Sequence, residues 1–78
     1  MKKIKEAELI AKLNEKLNPL LCSVVIITKI QNTEYPNKNW ATTISSTKSG
    51  SNIPDQSFDI VNAAKDDFSV DWRDEPEQ

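Results

Sequence analysis

The stretch from Leu20 to Ile30, LLCSVVIITKI, is the longest run of the chain that is rich in aliphatic and β-branched residues. This composition predicts a strand over about residues 20–31. Successive side chains of a strand point to opposite faces, so Val24 and Ile26 would share one face and Val25 and Ile27 the other. A strand with one face in water alternates apolar and polar residues, and this one does not. We therefore expect both of its faces to be covered.

Two amphipathic helices are predicted on either side of this strand. The first covers about residues 4–17 and ends at Asn18-Pro19, because the residue before a proline avoids helical geometry. The second covers about residues 56–68, with Asp55 as the expected N-cap. Its apolar stripe, which we expect to cover the sheet, consists of Phe58, Val61, Ala64 and Phe68.

A second strand is predicted over about residues 40–47, WATTISST, which is rich in residues that suit a pleated sheet. One of its faces carries Trp40 and Ile44, whereas the other is nearly all hydroxyl and is expected to be half solvated. A polar loop, about 31–39, separates the two strands. The only glycine, Gly50, follows the second strand in a turn where a positive φ angle is expected.

The predicted fold class is α+β, in the order helix, strand, strand, helix (αββα), with an antiparallel hairpin. Residues 1–72 would form a single domain, and residues 73–78 a mobile acidic tail. A lone hairpin is at best marginally stable in water. We therefore expect a homodimer that completes either a four-stranded sheet or a sandwich. The residues expected at the dimer seam are Leu9, Leu13, Leu21, Val25 and Ile27.

The residue types present argue against catalysis. The chain has no histidine, which removes the commonest general base and most zinc sites, and a single cysteine cannot form a zinc cluster. We expect no enzyme activity, no cofactor and no metal. Cys22 lies within the apolar run and has no disulfide partner, so a buried thiol in a reducing cytoplasm is expected. The run is also far shorter than the roughly 20 apolar residues of a membrane-spanning helix.

The function expected from these features is binding, through contacts with the protein itself or with another protein. The loop before the second strand combines aromatic rings, an amide and a cation, which are typical of recognition surfaces. The candidate contact residues are Tyr35, Asn37, Lys38 and Trp40. The simpler interpretation of Trp40 is a side chain of the core. The simpler interpretation of the charged residues is that they form solvated helix faces.

Charge is distributed unevenly along the chain, and this distribution suggests an alternative function, binding of nucleic acid. Residues 1–52 carry eight lysines and four glutamates, whereas residues 53–78 carry eight acids and two bases. A lysine-rich first helix could contact phosphates as a nucleic-acid accessory protein. Helices around an antiparallel sheet also form double-stranded RNA-binding domains. Here, however, one strand is absent, and the second helix carries Asp55 and Asp59 where a lysine cluster is expected.

Overall fold

The structure, a computed structural model, describes residues 2–31, 33–35, 38–48, 50 and 52–72. Over these residues the chain is a mixed α+β domain with two helices and six short strands, so the predicted class is confirmed. The predicted tail lies outside the described residues. The elements in chain order are β1 (Lys2–Ile4), α1 (Glu6–Leu17), a 3-10 turn (Asn18–Leu20), β2 (Cys22–Ser23), β3 (Ile27–Lys29), β4 (Trp40–Thr42), β5 (Ser45–Ser46), α2 (Asp55–Asp67) and β6 (Phe68–Val70).

Helix α1 packs through one straight apolar stripe. Leu9, Leu13 and Leu17 are spaced by four residues and are almost completely buried. The helix begins two residues later than predicted, because Ile4 belongs to β1, where its side chain is also buried.

Helix α2 buries a narrower face than the sequence pattern predicted. Ser57, Val61 and Ala64 are buried, but Phe58 is 47% exposed, so its assignment to the packed stripe is wrong. Phe58 follows Ser57 by one residue and is therefore rotated about 100° away from the buried stripe. The helix begins at Asp55 itself, with Pro54 as the N-cap, so the expected Asp55 cap is also corrected.

The hairpin is antiparallel, as predicted, but each predicted strand is divided into two short segments. Cys22 pairs with Ser46 in one segment, and Ile27 pairs with Thr42 in the other. Between the paired segments, residues 24–26 of the first strand face only residues 43–44 of the second. This excess of one residue is a β-bulge, in which two residues of one strand lie opposite one residue of the other.

The bulge changes which face of the run is buried. Cys22 and Val24 point inward before it and Ile27 after it, so Val25 and Ile26 both point outward, opposite Thr43 by register. The predicted simple alternation across the run is therefore wrong. The hydroxyl of Thr42 donates a hydrogen bond to the carbonyl oxygen of Ile26 at 2.7 Å, which satisfies one backbone group of the bulge.

An asparagine side chain joins α1 to the bulged strand. Asn14 Nδ2 donates to the carbonyl oxygen of Val24 at 2.9 Å, and the Val24 backbone N–H donates to Asn14 Oδ1 at 2.8 Å. The backbone N–H and C=O of buried Val24 are thus both hydrogen-bonded to the Asn14 amide, as a neighbouring strand would otherwise bond them.

The two ends of the domain meet in a parallel strand pair, an arrangement that the αββα order did not include. Ile4 of β1 lies opposite Val70 of β6, and the Asp71 N–H donates to the carbonyl oxygen of Ile4 at 2.8 Å. Asn39 joins β6 to the hairpin, because its amide bonds both backbone groups of Val70, at 2.8 and 3.0 Å. The Trp40 indole N–H also donates to the carbonyl oxygen of Phe68 at 3.1 Å.

Replacing Asn14 with alanine is expected to lower the free energy of unfolding by about 2 kcal/mol, because both backbone groups of buried Val24 lose their partner. Urea unfolding followed by circular dichroism measures this as a lower midpoint with an unchanged slope. The matched control is Asn62→Ala at an exposed position of α2, which has the same change in helix propensity. Equal midpoints for the two variants would contradict a structural role for the Asn14 bridge.

Deleting Val25 is expected to leave a folded protein, because the deletion removes the extra residue of the bulge. The deletion leaves two residues on each strand between the paired segments, so both registers are kept. Deleting Thr43 instead leaves three residues opposite one and is expected to unfold the hairpin. Dispersion of amide signals in a ¹H–¹⁵N spectrum distinguishes the outcomes. If the Val25 deletion lost its amide dispersion while the Thr43 deletion kept it, the bulge could not lie at Val25 and Ile26.

Candidate binding surface

The exposed apolar side chains are concentrated on one strand of the hairpin. Among the described residues six large apolar side chains are exposed, and Tyr35 and Phe58 are the two that lie elsewhere. The largest exposures are those of Val25, at 78%, and Ile26, at 61%. We call the four on the first strand the apolar row: Leu21, Val25, Ile26 and Ile30.

The backbone register places Val25 and Ile26 on the outer face of the hairpin, opposite the face that carries buried Trp40 and Ile44. The exposed side chains of Leu21 and Ile30 lie at the two ends of the strand. The second strand contributes exposed hydroxyls to the same face, which we call the hydroxyl row: Thr43, Ser45 and Thr47. Ten positions make up the outer face together with its two ends, and none of them is charged: 23, 25, 26, 28, 41, 43 and 45, with 21, 30 and 47 at the ends, all within the described residues. In a chain with 28% charged residues this is an unusually neutral surface.

The structure divides the residues predicted at the dimer seam into two groups. Leu21 and Val25 are exposed on the outer face, where a second molecule could reach them. Leu9, Leu13 and Ile27 are at most 4% exposed and lie in the core of the single chain, so they offer no surface to a partner. The burial of Leu9, Leu13 and Ile27 within the single chain therefore corrects their predicted place at the dimer seam.

The residues predicted as partner contacts are also separated. Tyr35 is exposed, whereas Trp40 is buried and belongs to the core rather than to a contact surface. Asn37 lies outside the described residues. Lys38 Nζ is 3.2 Å from Asp66 Oδ1 on α2, in an exposed ion pair, and 5.9 Å from the centre of the Tyr35 ring. The described end of this loop is therefore held against α2.

A shallow groove lies between the two helices. It encloses about 170 Å³, with Leu13 and Ile60 among its apolar residues and Lys12, Lys16 and Asp67 among its charged ones. Typical small-molecule sites enclose about 300–1,000 Å³. The groove is thus too small for most ligands, and its charges have mixed sign.

Cys22 is buried, as predicted, with its sulfur 3.4 Å from the Ser57 hydroxyl, which donates to it. Within the described ranges no group of three or more potential metal-ligating side chains forms a cluster. No helix in the same part of the chain is long and apolar enough to cross a membrane.

Searches against protein-family models, curated proteins and solved structures found no match for this chain. The outer face is therefore interpreted from its own geometry. Sequence reasoning identified Leu21 and Val25 but missed Ile30, and it placed Ile26 on the face opposite Val25. The available signal was the run Val24-Val25-Ile26-Ile27, in which a bulge can place two adjacent residues outward.

Two substitutions at neighbouring positions are expected to have very different costs. Val25→Ser should change the free energy of unfolding by no more than about 1 kcal/mol, which is the span of strand propensities. Ile27→Ser should cost about 3 kcal/mol or more, because it removes buried methyl groups and buries a hydroxyl. Urea midpoints of the two variants measure the difference. Similar costs would show that Val25 is packed and that the outer face is not free.

Proposed function

We propose that this chain is a small non-catalytic binding protein that contacts another protein chain through the outer face of its hairpin. The observation that supports the proposal is the exposure of adjacent Val25 and Ile26 on a face without charges. Contiguous apolar surface on a small soluble domain is typical of interaction sites. The flanking hydroxyls can serve as a polar rim around this apolar centre.

The size of the apolar row indicates a contact of moderate strength. Complete burial of one Val, Leu or Ile side chain is worth about 1.5–3 kcal/mol, and these four are already partly buried. Association costs an estimated 4–15 kcal/mol in lost freedom of motion. The row therefore favours a reversible contact, of the kind that regulatory proteins make, over a permanent one.

The chemistry of the outer face favours a protein partner over a nucleic acid. Affinity for nucleic acid depends mainly on cations that neutralise phosphates, and this face has none. Lys2 and Lys3 are exposed, but they lie on β1, which pairs with β6 and not with the hairpin. Lys12 and Lys16 line the helical groove together with Glu15 and Asp67, so acids accompany their positive charge.

Immobilised wild-type protein is expected to retain a protein from a lysate of its source organism, and Val25→Glu and Ile26→Glu to lose at least about nine-tenths of it. A carboxylate at the centre of the contact would have to be buried without a partner. Phe58→Glu is the matched control, because it places the same charge at an exposed apolar position on α2. Mass spectrometry of the eluates measures the retention.

Equal loss with Phe58→Glu, or undiminished retention by Val25→Glu, would contradict binding of the retained protein at the outer face. Retention that disappears at high salt and after nuclease treatment would instead indicate a nucleic-acid partner, which is the alternative from the lysine-rich first helix. Circular dichroism of each variant separates loss of contact from loss of folding.

A further inference from the structure

We infer that the partner of the outer face is a second copy of this chain, packed face to face so that the two apolar rows meet across a two-fold axis. The inference rests on the proposed function, since it names the protein that the outer face binds. Val25 and Ile26 lie near the middle of the row, so the axis passes close to them. With the axis along the row, Val25 of one copy faces Val25 of the other, and Ile26 faces Ile26.

The lack of charge on the outer face is the first argument for a second copy. A two-fold interface brings each residue close to its own equivalent, so any charge near the axis would face the same charge. None of the ten outer positions, each of them described, carries a charge, and self-contact therefore meets no repulsion. A different partner would have no ion pair with which to fix its orientation on this face.

The lateral separation of the two rows is the second argument. The apolar row follows the first strand and the hydroxyl row the second, about 4.8 Å to one side. A two-fold axis that runs along the apolar row buries that row in both copies and places the two hydroxyl rows on opposite sides, at the rim. The exposed hydroxyls of Thr43, Ser45 and Thr47 thus keep water as a partner, and the cost of burying them is avoided.

Edge-to-edge pairing of two hairpins is less favourable in this structure. On the first strand the backbone groups of Val24 are already bonded to Asn14, at 2.8 and 2.9 Å. A strand approaching that edge would have to displace the asparagine. At the start of β4, Asn39 and Trp40 already bind β6. The outer positions are not bonded to another element in this way, which favours face-to-face packing of the two hairpins over edge-to-edge pairing.

The area of the hairpin sets the expected strength of the dimer. A ribbon of two strands and about ten residues measures roughly 30 by 10 Å, or about 300 Å² per copy. Stable complexes bury about 800 Å² per partner. The estimated area is well below that of stable complexes, so we expect a weak, reversible dimer.

Sedimentation equilibrium of the full chain between about 10 µM and 1 mM is expected to show the mean mass rising from that of a monomer toward that of a dimer. Val25→Glu and Ile26→Glu should each weaken association at least about tenfold. Phe58→Glu should leave the dissociation constant of the dimer at its wild-type value. Val25→Ser, which is expected to fold normally, provides a second, uncharged test and should weaken association by a smaller factor.

Cysteine cross-linking tests the geometry directly. Val25→Cys places a thiol close to the proposed axis, so a short bis-maleimide should join two copies covalently. Phe58→Cys should give little cross-linked dimer at the same concentration. The wild-type chain provides the background, because its Cys22 is buried.

Monomer mass at 1 mM, or equal weakening by Val25→Glu and Phe58→Glu, would overturn the inference. Efficient cross-linking of Phe58→Cys with none of Val25→Cys would do the same. These failures would leave the proposed function intact if immobilised Val25→Glu no longer retained a lysate protein of different sequence that the wild type retains. Conversely, a dimer abolished by Val25→Glu together with unchanged lysate capture would support the inference and refute contact with a different protein at this face.

Discussion

One extra residue in the first hairpin strand decides which side chains of the apolar run are buried. The face of a strand alternates with every residue, so the bulge at Val25 and Ile26 returns Ile27 to the core after Val24. Without it, Ile26 would point into the core and Ile27 toward water. Asn14 holds the bulged strand in place, because it bonds both backbone groups of Val24.

A second asparagine connects the hairpin to the ends of the domain. Asn39 bonds both backbone groups of Val70 just as Asn14 bonds those of Val24. The parallel pairing of β6 with β1 then ties the first residues of the domain to its last helix. A small domain has little core to hold its ends together, and these amides supply the backbone pairing that additional strands would otherwise give.

The bulge also produces the surface from which function is proposed. It places two large aliphatic side chains next to each other on a face without charge. By contrast, the helical groove is small, and at the described end of the loop Lys38 forms an exposed ion pair with Asp66 of α2. The sequence indicated binding through the central strand and the loop. The geometry concentrates the available apolar surface on the strand, at Val25 and Ile26.

Local patterns were sufficient for both helices, the antiparallel hairpin, the positive φ of Gly50 and the burial of Cys22. The helices and strands depend on the spacing of apolar residues, the turns on proline and glycine, and the burial of Cys22 on the apolar residues beside it. All of these are properties of residues close together in the chain. The β1–β6 pair depends on residues more than sixty positions apart, and no local pattern encodes it. The bulge depends on a length difference between two strands, so an apolar run alone cannot show which two residues point outward. The sequence by itself determined the two helices, the hairpin and the absence of histidine. Only tertiary packing decided that Leu9, Leu13 and Ile27 are buried while Val25 and Ile26 are exposed, because burial depends on what the rest of the chain places opposite each residue.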